Sequence, residues 1–253
     1  YESRGLLQCI GSIRQWQAVC KAITSTNTKY NMEKIGMATL AIILVNGLIS
    51  YKGFSDSSFF EKYLFQINKI RHKREYKRFV TSGFLHADWV HLIFNMLSFY
   101  TFADGLESWL GAPYMLIIYF ASLLGGNFLA LIIHQHNGYY RAVGASGAVC
   151  GIIFAAIAVF PCIEVGFLFI PVPIPGWLFG LLYALYTVYG IRSASDNIGH
   201  EAHLGGALVG VATVVALVPQ VMQSNLNTIL LIVAPSIVFI ILMIIRPNLF
   251  SKR

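Results

Sequence analysis

Seven apolar stretches divide the sequence from residue 35 onward, at residues 35–51, 90–103, 114–133, 145–160, 167–190, 201–218 and 228–245. A bilayer core about 30 Å thick is crossed by about 20 residues of helix. Inside lipid every backbone N–H and C=O must find its partner within the protein, which leaves helices or a closed barrel. Runs of this length predict helices. Composition agrees: 57% of the 253 residues are hydrophobic, 11% are charged, and the mean hydropathy is +0.66. Soluble domains average about 45–50% apolar and about 25% charged. A soluble domain, a disordered chain, a collagen and a disulfide scaffold are excluded. The expected fold is an all-α, polytopic transmembrane helix bundle. Residues 1–34 form an N-terminal polar segment, 35–219 the transmembrane core, and 220–253 a seventh helix with a C-terminal tail. The first apolar run is expected to stay as a helix rather than be cleaved.

The net charge is +7, from 18 Lys+Arg against 11 Asp+Glu. In a chain this apolar, basic residues flank spans and meet lipid headgroups. No basic–aromatic surface module points to nucleic acid. Residues 52–78 are the one long polar connection, with 8 Lys/Arg and 3 acids. Cysteines stand at 9, 20, 150 and 162 without a CxxC, a spacing that argues for neither disulfide nor zinc. Pro171, Pro173 and Pro175 interrupt the start of the fifth stretch, so its helix is expected to begin near Pro175 or Trp177. Gly147 with Gly151, and Gly206 with Gly210, are small-xxx-small pairs. They predict close packing of the fourth and sixth spans.

Polar side chains inside a bilayer are costly, so each one is a candidate functional group. His91 and Asn95 stand at i and i+4 early in the second span, on one helix face. Ser146 opens the fourth span within Gly144-Ala145-Ser146-Gly147, and His203 lies near the start of the sixth. Alternate spans run in the same direction, so spans two, four and six bring these four residues to a similar depth on one side. Such a set can supply a nucleophile, a base and oxyanion donors. A neutral imidazole near pH 7 takes the serine proton and returns it to the leaving amine. A helix N-terminus adds backbone N–H groups and the positive end of the dipole.

These motifs resemble those of the rhomboid intramembrane serine proteases. Gly144-Ala-Ser-Gly147, Ala202-His-Leu-Gly-Gly-Ala-Leu-Val-Gly210 and His86-Ala-Asp-Trp-Val-His91-Leu-Ile-Phe-Asn95 fall on three spans in the family's order. Glu107-x-x-Leu110-Gly111 resembles the family's segment after the second span, and the likeness runs from Phe79 to Pro219. The resemblance implies a six-helix core, here with one C-terminal helix added. It implies a Ser146–His203 dyad with no carboxylate third member, and an oxyanion site at His91 and Asn95. No cofactor and no metal are implied. The substrates would be single-span membrane proteins, cut within the lipid bilayer, and the expected location is a bacterial cell membrane. Two departures stand out. Cys150 occupies the position four after the serine that is often aromatic in relatives, and the first loop lacks their Trp-Arg pair. The family topology also puts 13 of the 18 Lys/Arg outside, against the positive-inside rule.

Two other readings fit parts of this pattern. A rhomboid-like pseudoprotease binds transmembrane clients without cutting them. A metal or proton transporter could use His86, His91, His134, His136, His200 and His203. His200-Glu-Ala-His203 places its histidines three apart, one short of the zinc-protease spacing. The fifth span is a candidate lateral gate, and residues 192–199, bracketed by Gly190 and Gly199, are a candidate lid.

Overall fold

The computed structural model describes residues 35–167, 170–193 and 198–245. The N-terminal polar segment, the C-terminal tail from 246, Cys9, Cys20 and residues 194–197 of the candidate lid lie outside these residues. Among the described residues, seven helices of 14 to 26 residues form the body. Helix α1 is Met37–Ser55. The first loop folds into α2 (Ser57–Tyr63), strand β1 (Phe65–Gln66), α3 (Ile67–Lys73), α4 (Arg78–Thr81) and a 3-10 turn at Ser82–Phe84. Then come α5 (Trp89–Leu110), α6 (Ala112–Ile133), β2 (Arg141–Ala142) and α7 (Ser146–Val159). A hairpin of β3 (Glu164–Phe167) and β4 (Ile170–Pro175) leads into α8 (Gly176–Ser193), α9 (His200–Leu217) and α10 (Gln220–Ile245). The architecture is the all-α polytopic bundle expected: α1 and α5–α9 make the core, and α10 is added. Four of the helices (α1, α6, α9 and α10) are long and apolar enough by themselves to cross a membrane.

Helix α7 is the centre. Every residue from Gly147 to Val159 is buried, as an all-round apolar helix must be. It lies directly against α9. A Cβ on Gly206 would fall 1.9 Å from the Gly147 carbonyl oxygen, and one on Gly210 would fall 2.3 Å from that of Gly151. The expected close pair of the fourth and sixth spans is therefore present. Helix α6 joins it, packing more extensively on α9 than any other helix does.

Several boundaries moved for local reasons. Helix α5 continues to Leu110, beyond the expected 103, because its last turns bind α1. The Glu107 carboxylate accepts from Ala38 N (2.9 Å), Thr39 N (2.7 Å) and Thr39 Oγ1 (2.7 Å), and Asp104 accepts from Gly36 N (2.8 Å). Those N–H groups belong to the first turn of α1 and have no acceptor within it. Helix α10 begins at Gln220 rather than 228, with a break at Asn225 (φ −122°, ψ 23°). The Asn225 amide donates to Ala158 O (2.8 Å) and Val159 O (3.2 Å), closing the C-terminal end of α7. The proline series is a β-strand, and α8 starts directly after it at Gly176. Cys162 is disulfide-bonded, whereas Cys150 is a free thiol. The expectation of no disulfide was wrong, since sequence spacing does not show what the fold brings together.

The first loop is anchored at the end of the bundle that holds the site. Strand β1 pairs antiparallel with β2, Phe65 opposite Ala142. Arg78 is buried and donates to Leu64 O (2.5 Å), Glu61 O (3.1 Å) and Glu75 Oε2 (2.7 Å). Phe65, Ile67, Ile70 and Ala130 form a small apolar cluster beneath the loop, joined by Phe79 and Tyr140.

Candidate active site

Ser146 is the first residue of α7 and His203 the fourth of α9. Their side chains meet, with His203 Nε2 2.8 Å from Ser146 Oγ. The glycine contacts set this distance, because no side chain separates the two backbones along this seam. Gly147 packs on the carbonyl of Ala202, just before His203, with its notional Cβ 3.1 Å from that oxygen.

Gly144, two residues before the serine, has φ +127°, a conformation that favours glycine. A Cβ there would lie 2.9 Å from His91 Nε2 and 3.6 Å from Ser146 Oγ. The bare glycine leaves that space open between the two groups. His91 Nδ1 accepts from Ala87 N at 3.4 Å, so the neutral ring carries its proton on Nε2, on the Gly144 side. Asp88 caps α5 by accepting from His91 N at 2.8 Å. Asn95 is buried one helical turn further along α5, the helix that packs on α7. The structure thus brings Ser146, His203 and His91 together, with Asn95 one turn deeper.

His86 fixes the turn before the serine. It is fully buried. Its Nε2 accepts from Ala145 N (3.4 Å), so Nδ1 carries the proton and donates to Ser50 Oγ (2.8 Å). The Ser50 hydroxyl in turn donates to Phe84 O (3.0 Å). Gly144 N donates to Ser82 O (3.0 Å) beside it. Burial is the main cause that pushes the His86 pKa down to about 3, with the neighbouring His91 adding to it. The ring is neutral at physiological pH, as its acceptor role requires. An unfolded His86 takes up a proton near its ordinary value of about 6.5. The stability it contributes is therefore complete above that value and lost as pH falls towards the folded value. Between pH 7 and pH 5 the expected loss is about 2 kcal/mol. Denaturation of parent and His86→Gln at both pH values checks this; an equal decline in the two would assign the loss elsewhere.

Sequence reasoning missed the group behind the base. Tyr183 of α8 places its hydroxyl 3.0 Å from His203 Nδ1 and 3.2 Å from Cys150 Sγ. Its ring lies 6.2 Å from the imidazole at an interplanar angle of 29°. An aromatic does flank His203, but it comes from α8 rather than from position 150. No sequence signal singles out Tyr183 among Trp177, Phe179, Tyr186 and Tyr189 on the same helix. Glu201 is engaged away from the serine: its Oε1 lies 2.8 Å from His134 Nε2, and His134 stacks on Tyr140 at 3.7 Å. His200 packs against Gly190, 6.1 Å from the His203 ring. Gly190 is thus a packing position under the His200 ring rather than an open hinge. Among the described residues no cluster of His, Cys, Asp and Glu is disposed to hold a metal ion.

Comparison with known proteins covers the same region. A Rhomboid domain family model matches residues 73–220. The chain is 26% identical over 187 residues to RHOMBOID-like protein 12, mitochondrial, of Arabidopsis thaliana, covering 67% of this chain and 55% of that protein. It is 28% identical over 135 residues to Rhomboid protein 1, mitochondrial, of Saccharomyces cerevisiae, covering 52% and 39%. YdcA of Bacillus subtilis is 38% identical over 78 residues, covering 31% of this chain and 38% of that one. The chain spans about half or less of the length of these relatives. The two that match the larger shares of it are mitochondrial, so the expectation of a bacterial cell membrane is not supported. With more than half of its length matched to the Rhomboid domain, the chain is a multi-pass membrane protein that belongs to the Rhomboid family.

Proposed function

We propose that the chain is an intramembrane serine endopeptidase that cleaves transmembrane segments of single-span membrane proteins. The observation that carries this reading is the 2.8 Å contact between Ser146 Oγ and His203 Nε2, made across two helices in backbone contact. His203 takes the hydroxyl proton as Ser146 Oγ attacks the scissile carbonyl, and the carbonyl π electrons move onto its oxygen. The oxyanion is held by His91 Nε2–H, the Asn95 amide and the N–H groups of the first turn of α7, which have no acceptor within the helix. The proton passes from His203 to the leaving amine, giving an acyl-enzyme. Water, deprotonated by the same imidazole, then attacks the ester and releases the acid.

Water supply is the special difficulty of a site in lipid, and α7 answers part of it. Fourteen residues make a helix of about 21 Å against a core of about 30 Å. It does not cross that depth by itself, so an end of α7 that begins with Ser146 can lie below the lipid surface, where water reaches it through the loop side of the bundle. By the names of its relatives, the membrane is a mitochondrial one.

The test is cleavage of a fluorescent single-span substrate in liposomes by the parent chain, with Ser146→Ala as control. Cutting by the parent alone supports the reading. Binding without cutting would replace it with client binding. The route of entry is between α8 and α5, which flank α7 without packing extensively on each other. A disulfide or bis-maleimide link between these two helices is expected to lower cleavage at least about tenfold, as blocked gating motions do. Full activity after linking would close that route.

A further inference from the structure

We infer that Tyr183, backed by Cys150, is the positioning residue for His203, and that it makes alignment of the base conditional on the seating of α8. This rests on the reading of Ser146 and His203 as a dyad. For His203 Nε2 to accept the serine proton, the ring proton must sit on Nδ1, and a buried N–H needs an acceptor. The acceptor is the Tyr183 hydroxyl oxygen at 3.0 Å. That oxygen accepts best when its own proton points elsewhere, and Cys150 Sγ at 3.2 Å receives it. The direction of every proton is then determined: Ser146 to His203, His203 to Tyr183, Tyr183 to Cys150. The nearby carboxylate of Glu201 is engaged by His134 instead. A phenol therefore does what a carboxylate does in a triad, fixing tautomer and ring orientation, without placing a second charge in the bundle. Cys150 is the end of this chain of hydrogen bonds, so the departure at that position is matched by Tyr183 on another helix.

The three groups differ in how they are held. Ser146 and His203 stand on helices in backbone contact. Tyr183 stands on α8, which packs chiefly on α10, less on α9 and only slightly on α7. Displacing α8 removes the Tyr183 acceptor from Nδ1 and with it the hydrogen bond that fixes the tautomer. The helix beside the proposed entry route is thus the one that completes the base, and its return after substrate entry restores alignment.

The experiment compares parent, Tyr183→Phe, Cys150→Ala, Cys150→Ser and Ser146→Ala in liposomes, reading kcat, KM and the thermal midpoint. Phenylalanine keeps the ring and removes only the hydroxyl. Tyr183→Phe is expected to lower kcat about 10- to 100-fold with KM unchanged and only a small drop in the midpoint from the unsatisfied Nδ1–H. Cys150→Ala should lose a few-fold, and Cys150→Ser, which retains an acceptor, should stay near the parent. Equal turnover by parent and Tyr183→Phe overturns the inference and leaves the dyad reading intact. A loss of kcat no larger than the loss of folded protein at the assay temperature assigns Tyr183 to packing and also overturns it, as does a Cys150→Ser variant no better than Cys150→Ala. A parent that does not cut removes the dyad reading and this inference together.

Discussion

Ser146→Ala, His203→Ala and the double variant are expected to lose cleavage to the same extent, by at least about a thousandfold. The reason is the single hydrogen bond that makes the two residues one device. Without the imidazole the serine hydroxyl has no acceptor for its proton. Without the hydroxyl the imidazole has no nucleophile to activate. Once either is gone, removing the other costs nothing further. Residual turnover then reflects the oxyanion donors and substrate binding alone. The measurement is single-turnover cleavage in liposomes for all four proteins, with helicity confirming that each is folded. Additive losses, with the double variant far below either single one, would mean that the two groups act separately, and the 2.8 Å contact would lose its mechanistic meaning.

Gly206→Ala is expected to destabilise the bundle by more than about 3 kcal/mol, the upper range of overpacking. One methyl group at this position falls 1.9 Å from a backbone oxygen of Gly147, which no rotamer change can relieve. The two central helices must separate, and His203, one turn earlier on α9, moves away from Ser146 with them. Stability and cleavage should therefore fall together. Gly105→Ala is the matched control: nothing lies within 4 Å of its Cβ. That change sits on α5 and should stabilise by about 0.5–1 kcal/mol through helix propensity alone. Denaturant titration of both variants checks the contrast, and equal behaviour would show that α7 and α9 are not in backbone contact.

The parts of the site that lie in local motifs were legible before the structure. Ser146, His91 and His203 each sit at a helix start, and the alternation of span direction suffices to bring helix starts to one side. Gly147 with Gly151 and Gly206 with Gly210 indicated which helices approach most closely, because only glycine at that spacing allows such approach. Tyr183 was not legible. It depends on how α8 rotates against α9, and α8 carries aromatics at several positions, so no periodicity distinguishes the one that meets the base. The role of His86 was hidden for a related reason: its partners, Ser50 and Ala145, lie on different elements, far apart in the chain. The prolines of 171–175 announced a broken helix, but the partner strand at 164–167 has no matching signal of its own. The long reach of α5 depends on its carboxylates meeting the start of α1, a contact that no local pattern encodes.

The pairing of Phe65–Gln66 with Arg141–Ala142 bears on how such a loop can change over time. Its hydrogen bonds run from main chain to main chain, as do those from Ile67 N to Tyr140 O and from Asn68 N to Gly138 O. Any residue but proline supplies those donors and acceptors. The outward-facing side chains of the first loop are therefore free to drift, while the seam keeps the loop docked four residues upstream of Ser146. A chain without the Trp-Arg pair of its relatives can still hold this loop in place. A loop exchanged between distant members should graft successfully when the strand length and the buried anchors at Phe65 and Arg78 are kept, whatever its overall likeness.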